Sequence, residues 1–76
     1  MLLSKCPVNA CARLSQVDVD PVYQLRFQEL GVRPGATFRV STRAAFGGVV
    51  INIAGTRVAV DRRSAHRIHV ELEPAA

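Results

Sequence analysis

Turn-forming residues divide this chain into short runs, and that division constrains its fold more than any other feature. Between Asp20-Pro21, Gly31, Pro34-Gly35, Gly47-Gly48 and Ala54-Gly55, most runs alternate apolar and polar side chains, the period of a strand with one wet face. Phe38, Val40 and Thr42 alternate with Thr37, Arg39, Ser41 and Arg43. Val49-Val50-Ile51-Asn52-Ile53 and Arg57-Val58-Ala59-Val60 are β-branched and strand-like, and Ala54-Gly55-Thr56 reads as a tight hairpin between them. Ile68, Val70 and Leu72 face inward from a last strand, and Cys11 to Val17 supplies a first, with Ala12 and Leu14 on one side.

One segment has a different period. Asp20 is placed to accept hydrogen bonds from the first free N–H groups of a helix, and Pro21 suits its first position. The helix runs from Val22 to Leu30 and stops at Gly31, which takes the left-handed conformation at low cost. At ~100° per residue, Tyr23, Phe27 and Leu30 share one stripe and are expected in the core. Leu25 points away from that stripe with Val22 beside it, a second apolar edge without an internal use. Such an edge is either scattered surface hydrophobicity or a place where a partner docks. Arg33-Pro34-Gly35-Ala36 reads as a type II turn, and Asp61 to His66 as a single tight turn. Ala44-Ala45-Phe46-Gly47-Gly48 reads as a bend or loop, and Glu73 to Ala76 should fray.

The order strand, helix, three strands, short turn, strand describes a mainly β chain with one short helix. About five strands can close into a small barrel, which removes exposed edges, with the helix over an open end. The 76 residues fit a single domain, with its core over about 11–72. No apolar run approaches the ~20 residues of a membrane helix. The first residues lack the pattern of a secretion signal, so a cytoplasmic location is expected. A formal net charge of +4, nearly all from arginine, favours acidic partners: an acidic protein face, an anionic membrane surface or nucleic acid.

Taken together, Phe27-Gln28-Glu29-Leu30-Gly31-Val32-Arg33-Pro34-Gly35 and Phe38-Arg39-Val40 resemble the hallmark of FeoA-domain proteins. Gly47-Gly48-Val49-Val50-Ile51, Val58-Ala59-Val60-Asp61-Arg62-Arg63 and Ala65-His66-Arg67-Ile68-His69-Val70 look like that family's later segments, in the same order. The resemblance implies an SH3-like barrel acting beside the FeoB ferrous-iron transporter, a membrane protein with a cytoplasmic GTP-binding domain. It extends more faintly to the SH3-like domain of metal-dependent repressors, here without a helix-turn-helix region ahead of the barrel. The sequence departs from the family at Ser4 to Ala10, in place of an apolar Pro-Gly segment, and at Asp61, where an apolar residue is expected.

Chemistry has few candidates. No nucleophile elbow, P-loop or dinucleotide glycine pattern is present, so no enzyme and no cofactor is expected. His66 and His69 need not converge, and Cys6 and Cys11 do not complete a zinc site. The residues expected to meet a partner are Val22, Leu25 and Arg26 on the helix, with Arg62 and Arg63 at the last turn. The transporter's cytoplasmic GTP-binding domain is the expected partner, with the inner membrane face nearby. The alternative is a barrel that binds nucleic acid, or a regulatory domain of the repressor type; few aromatic side chains are free for base stacking.

Overall fold

The computed structural model describes residues 1–44 and 47–73. The Ala45-Phe46 part of the expected loop and the tail from Pro74 onward lie outside the described residues. Five strands form one antiparallel sheet: β1 (Cys11–Val17), β2 (Thr37–Arg43), β3 (Val49–Ile53), β4 (Thr56–Val60) and β5 (Ile68–Leu72). Helix α1 (Pro21–Glu29) joins β1 to β2, a one-turn helix α2 (Arg62–Ala65) joins β4 to β5, and a 3-10 turn at Leu3–Lys5 precedes β1. No helix among the described residues is long and apolar enough to cross a membrane.

Local chemistry fixes the joints. Val32 N–H donates to the Phe27 carbonyl at 2.8 Å and Gly31 N–H to that of Gln28 at 3.0 Å, while Gly31 takes φ 94°. This is the Schellman end that a glycine after the last helical turn allows. Gly35 has φ 92° and Ala36 N–H reaches the Arg33 carbonyl at 3.1 Å, closing the expected type II turn. Asp20 does not cap α1 with its side chain. Its carbonyl accepts from Gln24 N–H at 2.9 Å, while its carboxylate lies 4.0 Å from Arg67, an exposed pair.

The strand order is β4-β3-β2-β1-β5. The sheet curls like a barrel, but β4 and β5 stand at its two ends instead of closing on each other, which corrects the expected full closure. Curling is helped by irregular register in β1 between Leu14 and Gln16 and in β2 between Val40 and Thr42. An extra residue in one strand bends it and turns the next side chains to the other face, so Ala12, Leu14 and Val17 all point inward from β1. They meet Phe38, Val40, Val49, Ile51, Val58, Val60, Ile68 and Val70 in one core.

The N-terminal segment, where the sequence departs from the family pattern, belongs to this core. Leu3 and Cys6 are fully buried, and the Arg43 guanidinium donates to the Ser4 and Cys6 carbonyls, holding the segment against the end of β2. The expected core stripe of α1 is also revised. Phe27 is 6% exposed, but Tyr23 and Leu30 are 51% and 40% exposed. Val19 before the helix and Val32 after it are buried in their place, leaving room for one large side chain from α1 itself.

Candidate docking surface

Helix α1 is held to the body by Phe27 and by the Gln24 side-chain amide, which donates to the Val17 carbonyl at 3.0 Å. The rest of its apolar content faces outward. Val22 is 79% and Leu25 61% exposed, and with Tyr23 and Leu30 they make four of the seven exposed large apolar residues among the described ones. The exposed apolar surface is therefore concentrated on this helix and its cap, as the second edge in the sequence suggests, and it is wider than that edge.

Two open concavities flank Tyr23. One, of about 240 Å³, lies between the start of α1 and α2 and is lined by Val19, Asp20, Asp61, Arg63, Ser64 and Arg67 along with Tyr23. The other, of about 290 Å³, separates α1 from β4; Arg26, Phe27, Leu30, Arg57, Val58, Ala59 and Asp61 line it with Tyr23. Tyr23 and Asp61 belong to both, so the two form one surface running from β4 to α2.

Its charge is mostly positive. Arg26, Arg57 and Arg63 make no ion pair among the described residues. Asp61 is already engaged: its Oδ2 accepts from Ser64 N–H at 3.3 Å, capping α2. Hydrogen bonding to Ser64, only partly offset by burial, holds this carboxyl below its ordinary value. A polar residue where the family resemblance implies an apolar one is thus explained by the cap it supplies.

The five residues singled out in the sequence divide. Arg26 and Arg63 line the concavities on either side of Tyr23. Val22 and Leu25 are exposed on α1 and line neither. Arg62 also lines neither: a Cβ added at Gly47 would come within 3.0 Å of Arg62 Cδ, so its stem lies over that glycine. The residues expected to meet a partner did not include Tyr23, assigned to the core, or Arg57, whose part depends on β4 lying at the sheet's end. Besides Arg26 and Arg63, the polar residue Asp61, departing from the family pattern, signalled this region.

Cys6 is buried and Cys11 exposed, both as free thiols. His66 and His69 are both exposed. Among the described residues no three or more His, Cys, Asp or Glu gather as metal ligands would.

A family model described as the FeoA domain matches residues 1–72. Comparison by sequence with curated proteins finds no match. Among solved structures, the chain is similar to the FeoA protein from Chlorobium tepidum, with TM-score 0.88 and 27% identity over 95% of this chain and 70% of that one. It is similar to iron(II) transport protein A from Clostridium thermocellum, with TM-score 0.85 and 25% identity over 95% of this chain and 45% of that one. A manganese-dependent transcriptional repressor shares the fold at TM-score 0.85 and 24% identity, over 96% of this chain and 36% of the repressor.

Proposed function

The chain belongs to the FeoA domain family, and from that premise we propose that it is a cytoplasmic accessory protein that binds the GTP-binding region of a FeoB-type ferrous-iron transporter and modulates it. Family membership supports an accessory role in ferrous iron transport. The observation that carries the docking reading is the outward apolar face of α1, with Val22 and Leu25 exposed beside Arg26, and with Arg63, which makes no ion pair among the described residues, close by. A small domain gains little by keeping such residues in water, whereas a partner that covers them gains apolar burial at the centre and charge contacts at the rim. Arg62, exposed on the neighbouring α2, is taken to extend that rim. The module acts by contact, without catalysis or a resident cofactor.

The test is a titration of the full-length transporter in lipid nanodiscs with the wild-type chain and with Val22→Asp/Leu25→Asp. A charged pair in a desolvated contact weakens binding by about tenfold or more. Unchanged affinity for a variant that is still folded sinks this surface. The nucleic-acid reading is tested separately: micromolar oligonucleotide binding at physiological salt, falling steeply as salt rises, supports it over the transporter reading.

A further inference from the structure

Folded sheets seldom leave an edge bare, because its unpaired N–H and C=O groups are a template for another strand. At one end of this sheet the free side of β5 is occupied by the chain's own N-terminal segment. Leu2 bridges His69, Val70 N–H donates to the Met1 carbonyl at 2.7 Å, and the Met1 amine donates to the Val70 carbonyl at 2.8 Å. At the other end β4 pairs with β3 and, among the described residues, with no further strand.

The hairpin turn dictates which β4 groups are free. Ala54 and Gly55 take φ 51° and 78°, a two-residue turn of the type that makes its flanking residues, Ile53 and Thr56, a hydrogen-bonded pair. Such pairs alternate along an antiparallel ladder. Val58 and Val60 therefore bond to Ile51 and Val49, while Arg57 and Ala59 turn their N–H and C=O groups outward. Neither residue makes another backbone hydrogen bond among the described residues.

That free edge borders the groove whose opposite wall is α1, with Tyr23, Arg26 and Leu30 facing Arg57 and Ala59 across it. A strand edge facing a helix across a groove suits capture of an extended segment, which bonds through its main chain and is selected through alternate side chains. Charge narrows the choice. Arg26 and Arg57 have no carboxylate partner among the described residues, and the groove's acidic residue, Asp61, is engaged with Ser64 N–H. A second copy pairing through β4 would bring the same arginines together in a chain of formal net charge +4, which disfavours self-association there.

We propose that the β4 edge accepts, as an added strand, an extended protein segment that alternates apolar and acidic side chains. Its main chain bonds to Arg57 and Ala59, its apolar side chains lie against Tyr23 and Leu30, and its carboxylates meet Arg26 and Arg57. Val22 and Leu25 lie outside this groove, so the inference does not depend on the transporter reading.

The test uses the whole chain, labelled with nitrogen-15, and an end-blocked synthetic peptide of alternating valine and glutamate. Saturation with this peptide slows amide exchange at Arg57 and Ala59 and leaves that of Val58 unchanged. N-methylating the peptide along its bonding edge abolishes the protection without altering the protein, so the result does not hang on how a variant folds. Arg26→Glu/Arg57→Glu weakens binding by about tenfold. The proposal is overturned if the two amides stay unprotected at saturation, or if a peptide of alternating valine and lysine binds equally well. It is equally overturned if protection rises with protein concentration alone, which would make the edge a contact between copies of this chain.

Discussion

Val32 N–H reaches back to the Phe27 carbonyl at 2.8 Å, and this one bond couples the end of α1 to the residue that anchors it. The bond requires Gly31 in the left-handed region, at φ 94°. A Cβ there meets nothing closer than the Ala54 Cβ at 3.9 Å, so the cost of adding one is conformational and not steric. Gly31→Ala should lower stability by ~1–2 kcal/mol, a fall in Tm of about 4–8 °C per kcal/mol for a domain of this size. Thermal unfolding checks it. An unchanged Tm would mean that the helix end relaxes freely.

Phe27 and Tyr23 lie on the same stripe of α1 but should respond very differently. Phe27→Ala removes the one buried side chain of the helix and should cost ~3–4 kcal/mol. A nine-residue segment is too short to stay helical alone, so its amides should lose exchange protection before those of the sheet. Tyr23→Ala removes an exposed ring and should change stability by less than about 1 kcal/mol. Equal losses at the two positions, measured by denaturant unfolding, would mean that the helix packs as the stripe alone suggests.

The same two residues mark the limit of what a linear sequence encodes. Periodicity identifies Tyr23, Phe27 and Leu30 as neighbours on one face, but not how much of that face the rest of the molecule can cover. Burial there is decided by Val19 and Val32, which come from the flanking loops and have no periodic signature. Gly31, Pro34-Gly35 and Ala54-Gly55 are legible because a turn's backbone chemistry is local. The buried N-terminal segment is not, since Leu3 and Cys6 are held by Arg43, far along the chain. Likewise Arg57 joins Arg26 only once the strand order has left β4 at the end of the sheet, and no local pattern encodes strand order.

The two cysteines should report on the N-terminal segment. Burial pushes the Cys6 thiol up, against a smaller opposing pull from Arg43 and the N-terminal amine. The thiolate is the reactive form, so both inaccessibility and the raised pKa protect Cys6. Under native conditions at neutral pH, an alkylating reagent should modify Cys11 and leave Cys6 intact; in denaturant both should react. Arg43→Ala removes the donor to the Ser4 and Cys6 carbonyls and should expose Cys6 without global unfolding. Mass spectrometry of the labelled chain reads both outcomes, and equal labelling of the two thiols in the native wild type would mean that this segment is not held.

The cap on α2 makes part of the stability depend on pH, and the sign is set by the Asp61 carboxyl. Its folded-state value is depressed, chiefly by hydrogen bonding to Ser64, so the unfolded chain binds the proton more readily. The contribution is therefore fully present above the ordinary carboxylate value and is lost as pH falls through the lower folded value. Asp61→Asn keeps an accepting oxygen for Ser64 N–H and should stay within about 0.5 kcal/mol of wild type at neutral pH. It should also flatten the acid limb of the stability curve. Asp61→Ala leaves Ser64 N–H without its acceptor and should cost about 1 kcal/mol at neutral pH. Denaturant unfolding of the three proteins from neutral pH into the acid range separates the two effects. If the asparagine variant keeps the wild-type acid slope, another carboxylate is responsible and the cap is electrostatically silent.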